Sequence, residues 1–161
     1  VTLEQVAKAG FIIEPANITK ALKQVVKLTG LQGRWQTLSE KPLTVADTGH
    51  NEEGIKQVLE NIKQQRFTHL HMVFGVVNDK SIHSILALLP KDAHYYFVKA
   101  SVPRALDSGE LAAQAKKHKL CGTAYNTVEA GLMAARKAAK KTDLIFIGGS
   151  TFVVADALAL A

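Results

Sequence analysis

Cysteine is nearly missing: Cys121 stands alone among 161 residues. One thiol makes no internal disulfide, which favours a reducing compartment and excludes the disulfide-stapled class of small folds. Cys121 reads as a small buried filler rather than a nucleophile. Long hydrophobic runs are missing too. The longest, such as Leu144 to Ile147, are strand-sized, far short of the roughly 20 apolar residues of a membrane span. The opening Val-Thr-Leu-Glu-Gln has no basic stretch followed by an apolar one, so no signal peptide is visible and a cytoplasmic location is expected. It also lacks an initiator Met, as a piece excised from a longer chain would. No G-x-x-x-x-G-K followed by Ser or Thr occurs, so there is no P-loop. No G-x-G-x-x-G follows a strand, so the dinucleotide fingerprint is missing. His69 and His71 alternate on a strand without further ligands at matching spacing, so no metal site is expected.

Charge is in modest excess of one sign. There are 20 Lys and Arg against 14 Asp and Glu, a formal +6. Such an excess draws in nucleic acid, anionic lipid or small phosphorylated ligands. The positives are scattered, however. The densest group, Arg136 to Lys141, falls at the end of an expected helix, where cations complement the helix dipole. It reads as a solvated helix end, and neither a nucleic acid nor a membrane is expected as partner.

What is present is a regular alternation. Hydrophobic residues make up 47% of the chain, enough for one globular core. The opening segment looks helical: Asn17 is the expected N-cap, Ile18, Leu22, Val25, Val26 and Leu28 recur at helical spacing, and Gly30 stops the helix. Trp35 to Leu38 is a short extended piece and Ser39 to Pro42 a turn. Strands are then expected at Leu43 to Asp47, Leu70 to Val77, Tyr95 to Val98 and Leu144 to Ile147. Between them fall helices over 52–65, from an Asp79 cap to Leu89, from a Ser108 cap to Lys117, and from a Thr127 cap to Lys140. Gly131 to Ala139 is rich in small residues, which suits tight helix packing. Gly148-Gly149-Ser150 leads into a last helix. Continuous apolar strands imply burial on both faces. The expected fold is therefore α/β: a doubly wound, mostly parallel sheet flanked by helices over residues 33–161. Residues 1–32 form a separate helical segment, with a hinge near Gly30 to Gly33.

Open α/β sheets bind ligands at the carboxyl ends of their strands, and four such ends carry polar or glycine-rich sequence. In Asp47-Thr48-Gly49-His50-Asn51, Asp47 offers a carboxylate for ribose hydroxyls or a metal-bound water. His50 offers a donor for a phosphate oxygen. Asn51 can cap the next helix, whose open N–H groups attract anions. A turn-and-cap reading of the same residues stands beside that one. At Phe74-Gly75 the glycine permits close backbone approach. Arg104, after Pro103, can grip a carboxylate or phosphate in a bidentate way or simply face solvent. Gly148-Gly149-Ser150-Thr151 opens a helix. Arg34, at the expected hinge, can reach a phosphate held by a neighbouring domain.

Taken in order, Gly33-Arg34, Asp47-x-Gly49-His50-Asn51, Phe74-Gly75 with Asp79-Lys80, Pro103-Arg104-Ala105 and Gly149-Ser150 carry a resemblance. The chain resembles the C-terminal domain of bacterial folylpolyglutamate synthase/dihydrofolate synthase, relatives of the muramyl-peptide ligases. Residues 1–32 look like the closing helices of that family's central ATPase domain. The resemblance implies an ATP-dependent ligase. It adds L-glutamate to a folate through an acyl phosphate, with ATP and Mg held mainly by the ATPase domain of the same chain. This segment alone would be inactive. It implies that Arg34 and His50 are catalytic, with Arg34 contacting ATP phosphates, Asp47 the ribose and His50 the phosphate or acyl-phosphate region, and that Asn51 is among the cofactor-binding residues. Arg104 and Ser150 are the substrate-binding candidates, with the Gly149-Ser150 loop helping to hold glutamate. Gln32 and Glu52 stand where the family usually has proline, and Gly49 where it more often has alanine. A muramyl-peptide ligase domain and a free-standing α/β module for a small anion are the alternatives.

Overall fold

The computed structural model describes residues 2–78 and 82–160. It divides into two units, Val1–Gln32 and Gly33–Ala161. The first is three short helices, α1 (Thr2–Lys8), α2 (Pro15–Lys23) and α3 (Val25–Thr29), none of which buries a residue. Asn17 does not cap: it lies inside α2, which starts two residues earlier with Glu14 as an N-cap lacking a side-chain hydrogen bond. Pro15 sets that start, because its fixed φ suits the first helical position, where its missing N–H costs nothing. The helical stretch is also broken at Gln24. Gly30 does end α3, in the left-handed region at φ 68°.

The second unit is one sheet with helices on both faces. Its strands are β1 (Gln36–Glu40), β2 (Leu43–Asp47), β3 (Leu70–Phe74), β4 (His94–Val98), β5 (Gly122–Tyr125) and β6 (Leu144–Gly148). They lie in the order β1-β2-β6-β3-β4-β5, and only the β1–β2 pair is antiparallel. The helices are α4 (Glu52–Lys63), α5 (Ile82–Leu88), α6 (Ser108–Lys117), α7 (Val128–Ala138) and α8 (Thr151–Leu158). Successive strand side chains point to opposite faces. Leu70, Met72, Phe74, Leu144 and Phe146 therefore pack with α4, α5 and α6. Val73, Ile145 and Ile147 pack with α7 and α8. Burial of each such side chain contributes about 1.5–3 kcal/mol. This two-sided burial is why β3 and β6 read as unbroken apolar runs.

The chain leaves β2 through α4, crosses over β6 to β3, continues through α5 and α6 to β5, and returns through α7 to β6. The helices after β2 and β3 thus lie on one face and the helix after β6 on the other. Helices that diverge in this way open a crevice at the carboxyl ends of β2, β6 and β3, the place where such sheets take ligands.

Several expectations are corrected. Six strands form where four were expected. β1 runs through Glu40, so the turn shrinks to Lys41-Pro42, and pairing with β2 makes a hairpin. β5 is an exposed edge strand of Gly-Thr-Ala-Tyr with no apolar run to announce it. β3 ends at Phe74 rather than Val77. Asp107, not Ser108, caps α6: its carboxylate accepts from the N–H groups of Gly109 and Glu110, while Ser108 is buried as the first helical residue. Cys121 is exposed rather than a buried filler, because it enters a strand paired on one side only. The expected Asp79 cap lies outside the described residues. Thr127 caps α7 as expected, accepting from Ala130 N at 3.1 Å. No helix among the described residues is long and apolar enough to cross a membrane.

Candidate functional site

Two loops meet at the crevice. The 33–35 loop makes a sharp bend, with φ of 70° at Gly33 and 43° at Trp35. Only glycine fits at 33. A Cβ there would come within 2.8 Å of the Thr48 methyl and 3.0 Å of Val154 on α8, besides the positive φ. Trp35 carries real backbone strain, of order 1–2 kcal/mol for a residue with a Cβ. Asp47 offsets it. Its Oδ2 accepts from Trp35 N–H at 2.7 Å, and its Oδ1 accepts from Gly49 N–H at 2.8 Å. Thr48 N–H also donates to Gly33 O at 2.9 Å. The loop bearing Arg34 is thus fastened to the end of β2 by a buried carboxylate and a backbone bond. The sequence offered Asp47 a ribose role or a turn role; the second is present in these bonds.

Arg34 itself is exposed. Among the described residues its guanidinium has no hydrogen bond or ion pair. His50 is exposed as well, and its Nδ1 sits 2.9 Å from Thr48 O. A carbonyl only accepts, so the ring must carry its proton on Nδ1. Nε2 is left to face outward, with a lone pair in the neutral ring or a proton in the cation. Asn51 caps α4 by accepting from Gly54 N–H at 2.8 Å. This cap accounts for Asn51 without a ligand, and Glu52 and Glu53 occupy the first turn behind it. Arg34, Asp47, His50 and Asn51 therefore share one end of the sheet.

Arg104 and Ser150 form a second pair at the same end. Asp47 on β2 and Phe74 on β3 both stand in register with Gly148 on β6, which leads into the Ser150 loop. Ser150 is buried and caps α8, its Oγ accepting from Phe152 N–H at 3.2 Å. The Arg104 guanidinium lies 5.0 Å over the Phe152 ring, a cation–π contact that orients an otherwise exposed side chain. Gly149, at φ 89°, lets the loop pass Gly75: an added Cβ would meet Gly75 O at 2.7 Å.

Two features escaped the sequence reading. A cavity of about 600 Å³ opens beyond the ends of β4 and β5, lined by Lys99, Ser101, Asn126, Thr127 and Asp156 among others. Neither Arg34, His50 nor Arg104 lines it. Asp156 is already engaged there, accepting from Ser101 N–H and Oγ–H at 2.8 and 2.6 Å. Sequence spacing gave no sign of this, since the two residues stand 55 apart.

The second is a polar cluster at the opposite end of the sheet. His71 is buried, with Nδ1 3.0 Å from Tyr96 Oη. Its Nε2 has no hydrogen bond, although Asp143 Oδ2 is 3.4 Å away. Burial holds His71 below the ordinary 6.5, and outweighs the Asp143 carboxylate that opposes it. Burial would raise Asp143, but the bonds from Lys140 N–H and His69, with the His71 ring close by, together hold it below its ordinary 3.8. Both folded-state values are depressed. The stability they confer is present above the unfolded values and is lost as pH falls, first for His71 below about 6.5 and then for Asp143 below about 3.8. The urea midpoint of this chain is expected to drop between pH 7.5 and 5, and to drop less in His71→Gln. Equal drops in both proteins would remove His71 as the source.

Comparison with known proteins bears on the fold and the family. Residues 33–151 match the family described as Mur ligase, glutamate ligase domain. The probable bifunctional folylpolyglutamate synthase/dihydropteroate synthase of Haloferax volcanii is 28% identical over 148 residues, covering 90% of this chain and 17% of that protein. The crystal structure of bifunctional folylpolyglutamate synthase/dihydrofolate synthase from Yersinia pestis superposes with a TM-score of 0.79 at 25% identity, over 98% of this chain and 37% of its own. A crystal structure of such a bifunctional enzyme with Mn, AMPPNP and L-glutamate bound gives a TM-score of 0.73 at 28% identity, over 81% of this chain and 31% of its own. The chain thus spans well under half the length of the proteins it matches. With six strands in a mostly parallel order and a match across most of the second unit, the chain belongs to the Mur ligase, glutamate ligase domain family.

Proposed function

We propose that this chain is the C-terminal lobe of a folylpolyglutamate synthase, an ATP-dependent ligase that adds L-glutamate to tetrahydrofolate. The same acyl-phosphate route also suits a dihydrofolate synthase activity in the same protein. The observation that carries the reading is the unengaged Arg34 guanidinium, carried on a strained loop that Asp47 fastens to the end of β2, the strand whose following loop bears His50. Both groups suit a polyphosphate. Each is a cation or a donor, neither is spent on the fold, and Asp47 fixes the backbone that presents them. ATP, when bound with Mg by the other lobe, supplies the phosphoryl group that activates a substrate carboxylate.

The lobe's own part is positioning and charge neutralisation, which is most of what phosphoryl transfer asks of a protein. Arg34 offers a planar fork of N–H donors to phosphate oxygens. His50 donates from Nε2 as the cation, while Nδ1–H stays on Thr48 O. Arg104, steadied by Phe152, suits the carboxylates of the incoming glutamate. The Ser150 hydroxyl keeps its proton to donate while its oxygen caps α8. The amine of glutamate then attacks the acyl phosphate, forming the amide C–N bond as the C–O bond to phosphate breaks. Closure of this lobe keeps water from that intermediate.

The first unit supports the same reading. Its helices bury none of their residues, and Phe11, Ile12, Leu22 and Leu28 are exposed. That surface suits packing against the preceding ATPase domain of a longer chain.

Phosphate release tests the proposal, measured for the complete protein and for this chain with ATP, magnesium, glutamate and a reduced folate. The complete protein is expected to release phosphate only when folate and glutamate are both present, and this chain to release none. A complete protein that is silent with folate but active with a muramyl precursor overturns the acceptor. Activity of this chain alone overturns its role as one lobe.

A further inference from the structure

Two histidines far in sequence, and outside the site described above, meet on the face of the sheet covered by α4, α5 and α6. His83 on α5 and His118 at the end of α6 bring Nδ1 and Nε2 to 3.3 Å. Their rings stand 5.6 Å apart between centroids and are tilted by 40°. Both are carried by anchored elements. Ile82, Ile85 and Leu86 of α5 and Leu111 and Ala115 of α6 are buried in one cluster. His118 N–H also donates to Ala115 O at 2.9 Å, which fixes the backbone from which its ring projects.

The separation is informative. Two imidazole nitrogens bound to one tetrahedral ion at about 2.0–2.1 Å each stand about 3.3–3.4 Å apart. We propose that His83 and His118 form a two-imidazole site for a divalent transition-metal ion of the zinc or nickel class, bridging α5 and α6. Imidazole suits such ions, whereas magnesium prefers oxygen ligands, so the site is chemically distinct from one that serves a nucleotide. Among the described residues no group of three or more His, Cys, Asp or Glu could hold a metal. Two protein ligands therefore leave the remaining positions to water. His83 is exposed and His118 half-buried, so water has access. The cluster of His69, His71, His94 and Asp143 is the competing place for an ion. There the buried His71 is occupied by Tyr96 on one nitrogen, the His94 ring is tilted against those of His69 and His71 with centroids 6.1 and 5.3 Å away, and the group does not make a metal-holding set.

Titration calorimetry of this chain with zinc chloride, and separately with nickel chloride, tests the site. One ion is expected to bind. Binding should weaken at least tenfold in His83→Gln and in His118→Gln, remain in His94→Gln, and give no heat with magnesium chloride. Thermal unfolding without metal identifies any variant that fails to fold; the exposed His83 makes its variant the safer of the two. Absence of binding, binding that survives both substitutions, or binding lost in His94→Gln instead overturns the proposal.

Discussion

If the complete protein is the ligase proposed above, replacing Arg34 with alanine in it is expected to lower turnover by about a hundred- to a thousandfold, the range for removing one preorganised charge-stabilising donor. The fold should not suffer. Arg34 is exposed, and its guanidinium holds nothing among the described residues, so the urea midpoint of the variant chain should stay within about 0.5 kcal/mol of the parent's stability. This split between activity and stability separates a phosphate ligand from an ordinary surface arginine, which would leave both unchanged. Arg34→Lys should recover only part of the loss. An ammonium keeps the charge but lacks the planar fork that meets two oxygens at once. Turnover within tenfold of the parent in Arg34→Ala would remove Arg34 from the chemistry. The assignment of this end of the crevice to a polyphosphate would then rest on His50 alone.

Much of this architecture was legible because burial on both faces writes itself into sequence. Leu144 to Ile147 could only be a central strand, and Met72 to Phe74 likewise. The edges were harder for the same reason. β5 is paired on one side and exposed, so Gly122 to Tyr125 shows neither an apolar run nor alternation. β1 needs its partner to be seen as a strand at all. Caps failed where two candidates competed. Asp107 won over Ser108 because its carboxylate reaches two N–H groups, and Pro15 overrode Asn17 by fixing φ.

At the site, sequence order placed Asp47, His50 and Asn51 on one loop, and the glycines of the expected hinge drew attention to Arg34. The bond between those two loops was not visible. It joins residues 12 apart and depends on positive φ at Gly33 and Trp35, which only the folded chain reveals. The partnership of Arg104 with Phe152 was hidden similarly, since it depends on β4 and β6 ending at the same side of the sheet.

That bond between loops makes Asp47 the residue where structure and chemistry are hardest to separate, and stability measured without nucleotide separates them. Asp47→Ala is expected to destabilise this chain by about 2–4 kcal/mol. It removes two hydrogen bonds to a carboxylate, each worth roughly 1.5–3 kcal/mol and not fully additive. It also leaves the strained Trp35 backbone without its anchor. Asp47→Asn should cost less, because one amide oxygen still accepts, but its NH₂ then faces the second backbone donor. A residue that served only the ribose would show neither loss, since no nucleotide is present in the measurement. The proposed ligase activity of the complete protein should fall in both variants, through displacement of Arg34 as well as any lost ribose contact. The telling comparison is therefore the Michaelis constant for ATP against turnover. A loss confined to turnover, in a destabilised protein, identifies Asp47 as the residue that positions Arg34. A rise confined to the Michaelis constant, with unchanged urea stability, would show that the carboxylate binds nucleotide and that the hydrogen bonds to Trp35 and Gly49 contribute little.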